Sequence, residues 1–150
     1  MIPLYVFLVA TFLLRLTGAT LVPALDSWPE AIRFGLVPLF LLTASAHWGK
    51  RRPDLVRMIP PAFPNAEGLV TLTGILEVAG AVGLLIRPLI PWAALGLTLL
   101  LLAVFPANIH AARHRLTIDG RPVPALGPRT LIQIVFLAAT LLVIATYFPR

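Results

Sequence analysis

The sequence contains no cysteine. Disulfide exchange, thiolate catalysis, Cys-ligated zinc and iron–sulfur clusters are therefore excluded. Charge is also scarce. Asp, Glu, Lys and Arg make up 12% of the 150 residues, against about 25% in a typical soluble domain. That density cannot cover a water-facing surface, which excludes an ordinary soluble protein, a disordered chain and a coiled coil. What fills the chain instead is apolar. Hydrophobic residues reach 59% and mean hydropathy is +0.93, so lipid is the expected solvent. The length fits one domain, residues 1–150.

The net charge is +6, and Lys50 is the only lysine among the twelve basic residues. On a soluble protein such a balance would suggest nucleic acid. Here the charges sit in short links between long apolar runs, so the expected cause is membrane topology and no nucleic-acid partner.

Five apolar runs approach the ~20 residues needed to cross ~30 Å of hydrocarbon. They cover about Ile2–Leu25, Ala31–Trp48, Gly68–Ile86, Leu89–Ala112 and Thr130–Phe148. None alternates apolar and polar residues over ten positions, which excludes a β-barrel. A backbone in lipid must satisfy its own hydrogen bonds, so helices remain. The predicted fold is an all-α integral membrane protein, an antiparallel bundle of five transmembrane helices.

The links predict its orientation. Lys50, Arg51, Arg52 and Arg57 lie in the second, and Arg113, Arg115, Arg121 and Arg129 fill or border the fourth. The opposite side has Arg33, Arg87 and Arg150. The positive-inside rule then places the N-terminus in the cytoplasm and the C-terminus outside. Tyr5, Trp28, Trp48, Trp92 and Tyr147 fall near span ends, where amphipathic rings prefer to sit. The first span is read as retained rather than cleaved, because it starts without charge and Arg15 interrupts it. Two links carry structure of their own. Pro53–Pro64 reads as a short segment lying in the membrane interface. Leu116–Val123 reads as a small hairpin with Asp119-Gly120 at its turn.

Ionisable groups inside spans are costly and usually face the bundle interior. Arg15 and Glu77 are such groups. At 1.5 Å per residue they lie ~18 Å and ~13 Å from the cytoplasmic end, close enough in depth to pair. Thr73, Gly74, Glu77, Gly80 and Ala81 form one helical stripe, and Thr11, Arg15, Gly18 and Ala19 form another. Small residues let helices approach, so spans one and three are expected to pack together. A buried pair of this kind can equally fix helix packing with no chemistry.

His47, Asn108 and Gln133 are placed to gather below Glu77 in a pocket open to the cytoplasmic interface. A mostly apolar cleft with a few polar groups suits a small amphiphile. The same groups can instead hydrogen-bond between helices without a ligand. His110 and His114 are four apart and with His47 would make a three-His metal site. Arg113 and Arg115 repel a cation there, so these histidines are read as interfacial and no metal is assigned.

Several strings occur in order: His47-Trp48, Arg57-Met-Ile-Pro-Pro61 with Pro64, Thr73-Gly-x-x-Glu77 with Gly80-Ala81, and Phe105-Pro-Ala-Asn-Ile109. From about Arg33 onward the sequence thereby resembles the DoxX-like membrane protein family. The resemblance implies a small bacterial inner-membrane protein with a four-helix core, to which Ile2–Leu25 is an added helix. The family takes its name from a quinone-linked membrane oxidoreductase, and other members are associated with redox-stress complexes. The expectation is a subunit of a quinone-linked membrane oxidoreductase, with a redox partner protein and a homo-oligomer as candidate associations. Glu77 and His47 would bind or protonate the head group. Arg15, Thr73, Asn108 and Gln133 would line the site. Two other classes remain open: a non-enzymatic assembly subunit using its Gly/Ala stripes, and a transporter with Glu77 as a proton-coupled site.

Overall fold

The computed structural model describes residues 2–148, apart from the side chain of Ala24. Arg150, counted above in the charge asymmetry, lies outside the described residues. The chain is mostly helical. In order it forms α1 (Ile2–Thr20), α2 (Trp28–Ser45), α3 (Arg52–Met58), α4 (Ala66–Gly83), α5 (Ile90–Arg113), β1 (Thr117–Ile118), β2 (Arg121–Pro122) and α6 (Leu126–Tyr147). Helices α1, α4, α5 and α6 are long and apolar enough to cross a membrane, which marks the chain as a membrane protein.

Helix α2 has 18 residues, as many as α4, but carries Glu30 and Arg33 in its first two turns. It starts three residues before the apolar run that predicts it. Ser27 is the cause: its hydroxyl accepts from the Glu30 N–H, with Pro29 in the first turn. This is a Ser-x-x-Glu start, stabilising by about 1 kcal/mol. The N-terminal run also divides. Helix α1 stops at Thr20, and a 3₁₀ turn over Pro23–Leu25 leads into α2.

Side-chain contacts set the helix order. Helix α1 packs on α2, with Thr11 seated against Gly35. Close packing of spans one and three, expected above, does not occur. The short connection holds α1 beside α2 instead. Leu84, just beyond α4, meets Arg33 near the start of α2, while Val70 near the start of α4 meets His47 beyond the end of α2. These two helices therefore run in opposite directions. Gly80 and Gly83 of α4 accommodate Leu97 and Ala93 of α5. Helices α5 and α6 join through a Thr98–Thr140 hydrogen bond of 2.9 Å inside the core. Leu36, Leu39, Leu84, Ile90, Leu97 and Val143 are fully buried at the centre. Large apolar side chains such as Leu16, Leu99 and Leu131 point outward and are more than half exposed, a surface suited to lipid.

Both predicted links have regular structure. The Pro53–Pro64 stretch holds all of α3 but its first residue, Arg52. The hairpin pairs Thr117 with Pro122 and Ile118 with Arg121. Asp119 and Gly120 have φ of 54° and 71°, the left-handed pair of a type I′ turn. Asp54 of α3 fastens the hairpin by accepting the Asp119 N–H at 2.7 Å.

Candidate functional site

His47 lies two residues beyond α2, on a turn that faces α4. Gly74 makes room for it, since a Cβ there would collide with His47 and Trp48. The ring is fixed by its Nδ1, 2.6 Å from the Val70 carbonyl oxygen. A carbonyl only accepts, so Nδ1 carries the proton and donates. Thr73 Oγ1 lies 3.3 Å from the same nitrogen. His47 Nε2 is thereby turned toward Glu77, with 3.5 Å to Oε2. Both side chains are largely buried, at 12% and 14% exposure. Glu77 Oε2 has no hydrogen-bond partner in this arrangement.

Arg52 of α3 secures the turn. It donates to the His47 carbonyl at 2.9 Å, to Thr71 Oγ1 at 2.9 Å and to the Glu67 carbonyl at 3.1 Å. Burial lowers the His47 pKa, and the Arg52 charge adds to that. The Glu77 carboxylate and the Val70 carbonyl outweigh both, so His47 stands above its ordinary value. With Nδ1 committed, Nε2 and the Glu77 carboxyl can share one proton.

Arg15 does not join this centre. It pairs with Asp26 in the α1–α2 connection and lies 5.7 Å from the Trp28 ring. The Arg15–Glu77 pairing expected from depth is replaced by a local one, because α1 packs on α2. Thr73 lies beside the His47 ring. Asn108 and Gln133 meet each other, with Asn108 Nδ2 donating to Gln133 Oε1 at 3.1 Å. Arg129 donates to Asn108 Oδ1, and Gln133 donates onward to the Leu101 carbonyl. This chain of polar groups clamps α5 to α6. Among the described residues, no hydrogen bond or ion pair connects it to His47 or Glu77.

The histidines likewise separate. His110 and His114 stack with ring centroids 4.1 Å apart at the end of α5. Among the described residues, no group of three His, Cys, Asp or Glu is placed to hold a metal ion.

A second buried charge enters the sequence analysis only through the charge asymmetry between the two sides. Arg33 is 5% exposed. Its Nε donates to Glu30 Oε2 at 2.9 Å, and its Nη1 donates to the Leu84 carbonyl just beyond α4. Its guanidinium lies 3.9 Å from the Phe34 ring centroid and 5.7 Å from that of Tyr147. The Ser27-x-x-Glu30 start was the available signal. It starts α2 at Trp28 and so moves Arg33 from the first turn of the predicted run to the second turn of the helix.

The profile of one family, described as a domain of unknown function (DUF8561), matches residues 36–147. The chain belongs to that family. No curated protein and no solved structure matches it. The matched segment includes His47, Thr73, Glu77, Asn108 and Gln133, and omits α1 with Arg15.

Proposed function

We propose that the chain spans a bacterial inner membrane five times as an antiparallel bundle and binds an amphiphile at the His47–Glu77 centre. Helix α2 serves as the fifth span. Its charges do not oppose insertion strongly, because Arg33 is buried and paired with Glu30. The N-terminus lies in the cytoplasm, on the side of the basic α2–α4 and α5–α6 connections. The DoxX-like motifs of the sequence supply the bacterial setting and the choice of a quinone as leading ligand.

The observation that carries this reading is Glu77 Oε2, buried beside His47 Nε2 and without a hydrogen bond. A buried acceptor left open costs about 1–3 kcal/mol. A hydroxyl or other donor on a ligand's head group would satisfy it. Thr73 lies beside the pair. The centre then passes a proton between its own groups and a quinone oxygen. Electrons come from a redox partner protein. Arg15, Asn108 and Gln133 hold helices together in this scheme.

The test is to purify the full chain in mild detergent, extract it, and identify bound small molecules by mass spectrometry. The expected result is a stoichiometric quinone, lost in a folded Glu77→Gln variant. Finding phospholipid alone in both proteins would overturn the reading. An assembly subunit would then be favoured. Its contact face would be α1, whose Tyr5, Val9, Phe12, Leu13 and Leu16 are each more than half exposed. The α4 glycines are already used inside the chain.

A further inference from the structure

A cleft of about 300 Å³ opens between the segment after α3 and the last turns of α5. This volume is at the lower end of ligand pockets. Its lining is Pro60, Pro106, Ile109, His110, Arg113 and His114. One part is apolar and stiff, with two prolines and Ile109. The other is basic, with Arg113, His110 and His114, and among the described residues no acidic side chain lines it. Arg113 is exposed and makes no ion pair among the described residues. His114 Nδ1 donates to the His110 carbonyl at 2.9 Å, which fixes that ring and leaves its Nε2 uncommitted. The walls are held in register by α3, which packs on both α5 and the hairpin that Asp54 fastens.

We propose that this cleft binds the anionic head of a phospholipid, with the phosphate on Arg113 and the His110–His114 pair. The glycerol end of the acyl chains would lie on Pro106 and Ile109. The negative end of the α5 dipole, about half a charge, opposes an anion here. The full charge of Arg113 outweighs it, and a guanidinium binds phosphate oxygens bidentately. The cleft opens at the end of α5 that carries His110, Arg113 and Arg115, the cytoplasmic side in the topology proposed above. The proposal rests on that membrane reading and is independent of the quinone.

The test is native mass spectrometry of the full chain in mild detergent, titrated with phosphatidylglycerol, phosphatidylcholine or inorganic phosphate. One retained phosphatidylglycerol per chain is expected, with roughly tenfold weaker binding in Arg113→Gln. Arg121→Gln, the same charge change on the hairpin, should leave binding unchanged. If Arg113→Gln does not fold, His114→Gln is used and should weaken binding in the same direction. Equal retention of phosphatidylcholine, an equal loss in Arg121→Gln, or displacement by millimolar inorganic phosphate would each overturn the proposal. A chain that stays soluble and monomeric without detergent would instead overturn the membrane reading.

Discussion

Two buried acid–base pairs sit at opposite ends of the α2–α4 contact, and they are finished differently. At one end Arg33 spends its donors on Glu30 and the Leu84 carbonyl, and lies near two aromatic rings. At the other end His47 is fixed through Nδ1, while Glu77 keeps one oxygen unbonded. The first pair is closed, with little left to offer a ligand. The second is open, and its free acceptor is what a functional centre needs. Burial of charge alone therefore does not mark a site, because the most buried charged group here is a structural lock. Incomplete hydrogen bonding beside a second titratable side chain is the better discriminator, since Thr11 Oγ1 and Arg15 Nε are also unpaired.

That contrast predicts unequal responses to mutation. Arg33→Met should be the most damaging change. It leaves Glu30 without its partner and Leu84 without its donor, at a cost of about 3–5 kcal/mol. Thermal unfolding in detergent would show it as a large drop in Tm. Gly74→Val should cost roughly 1–3 kcal/mol by driving a side chain into His47 and Trp48. It should also displace the His47 ring, visible as a changed imidazole resonance. Ser27→Ala should remove about 1 kcal/mol by loss of the α2 cap. Glu77→Gln should change stability least at alkaline pH, where His47 is neutral, by under about 1 kcal/mol, because Oε2 accepts no hydrogen bond that would be lost. A Glu77→Gln penalty as large as that of Arg33→Met would erase the distinction between the two ends.

The same contrast has a pH signature. The His47 pKa is raised on folding. Its contribution to stability is then complete below the unfolded value of about 6.5 and is lost as pH rises through the folded value. Melting curves of the native chain and His47→Gln should converge toward alkaline pH and diverge below neutrality.

Much of the architecture was legible in the sequence. The hydrophobic runs gave the long helices, and Asp119-Gly120 gave the hairpin, because each depends on local chemistry. Helix rotation was the obscure part. Depth along a helix matched Arg15 to Glu77, but pairing also needs the two faces to meet, and the short Leu21–Ser27 connection puts α1 on α2. Asn108 and Gln133 bond each other, and among the described residues no bond joins them to His47; periodicity cannot tell which of two adjacent helices a polar residue faces. Glu77 and His47 stood out because a carboxylate in an apolar run is costly. Arg33 escaped because it falls at the edge of its apolar run, and its burial comes from the Leu84 carbonyl beyond α4, which hydropathy does not register.

The central claim is that His47 and Glu77 form one proton-sharing centre. The most direct measurement is a pH titration of ¹⁵N-labelled imidazole resonances in the detergent-solubilised chain. The account predicts that His47 keeps its Nδ1 proton throughout and titrates at Nε2 above about pH 6.5. In Glu77→Gln that midpoint should fall. A midpoint at or below the ordinary value, unmoved by Glu77→Gln, would contradict the account.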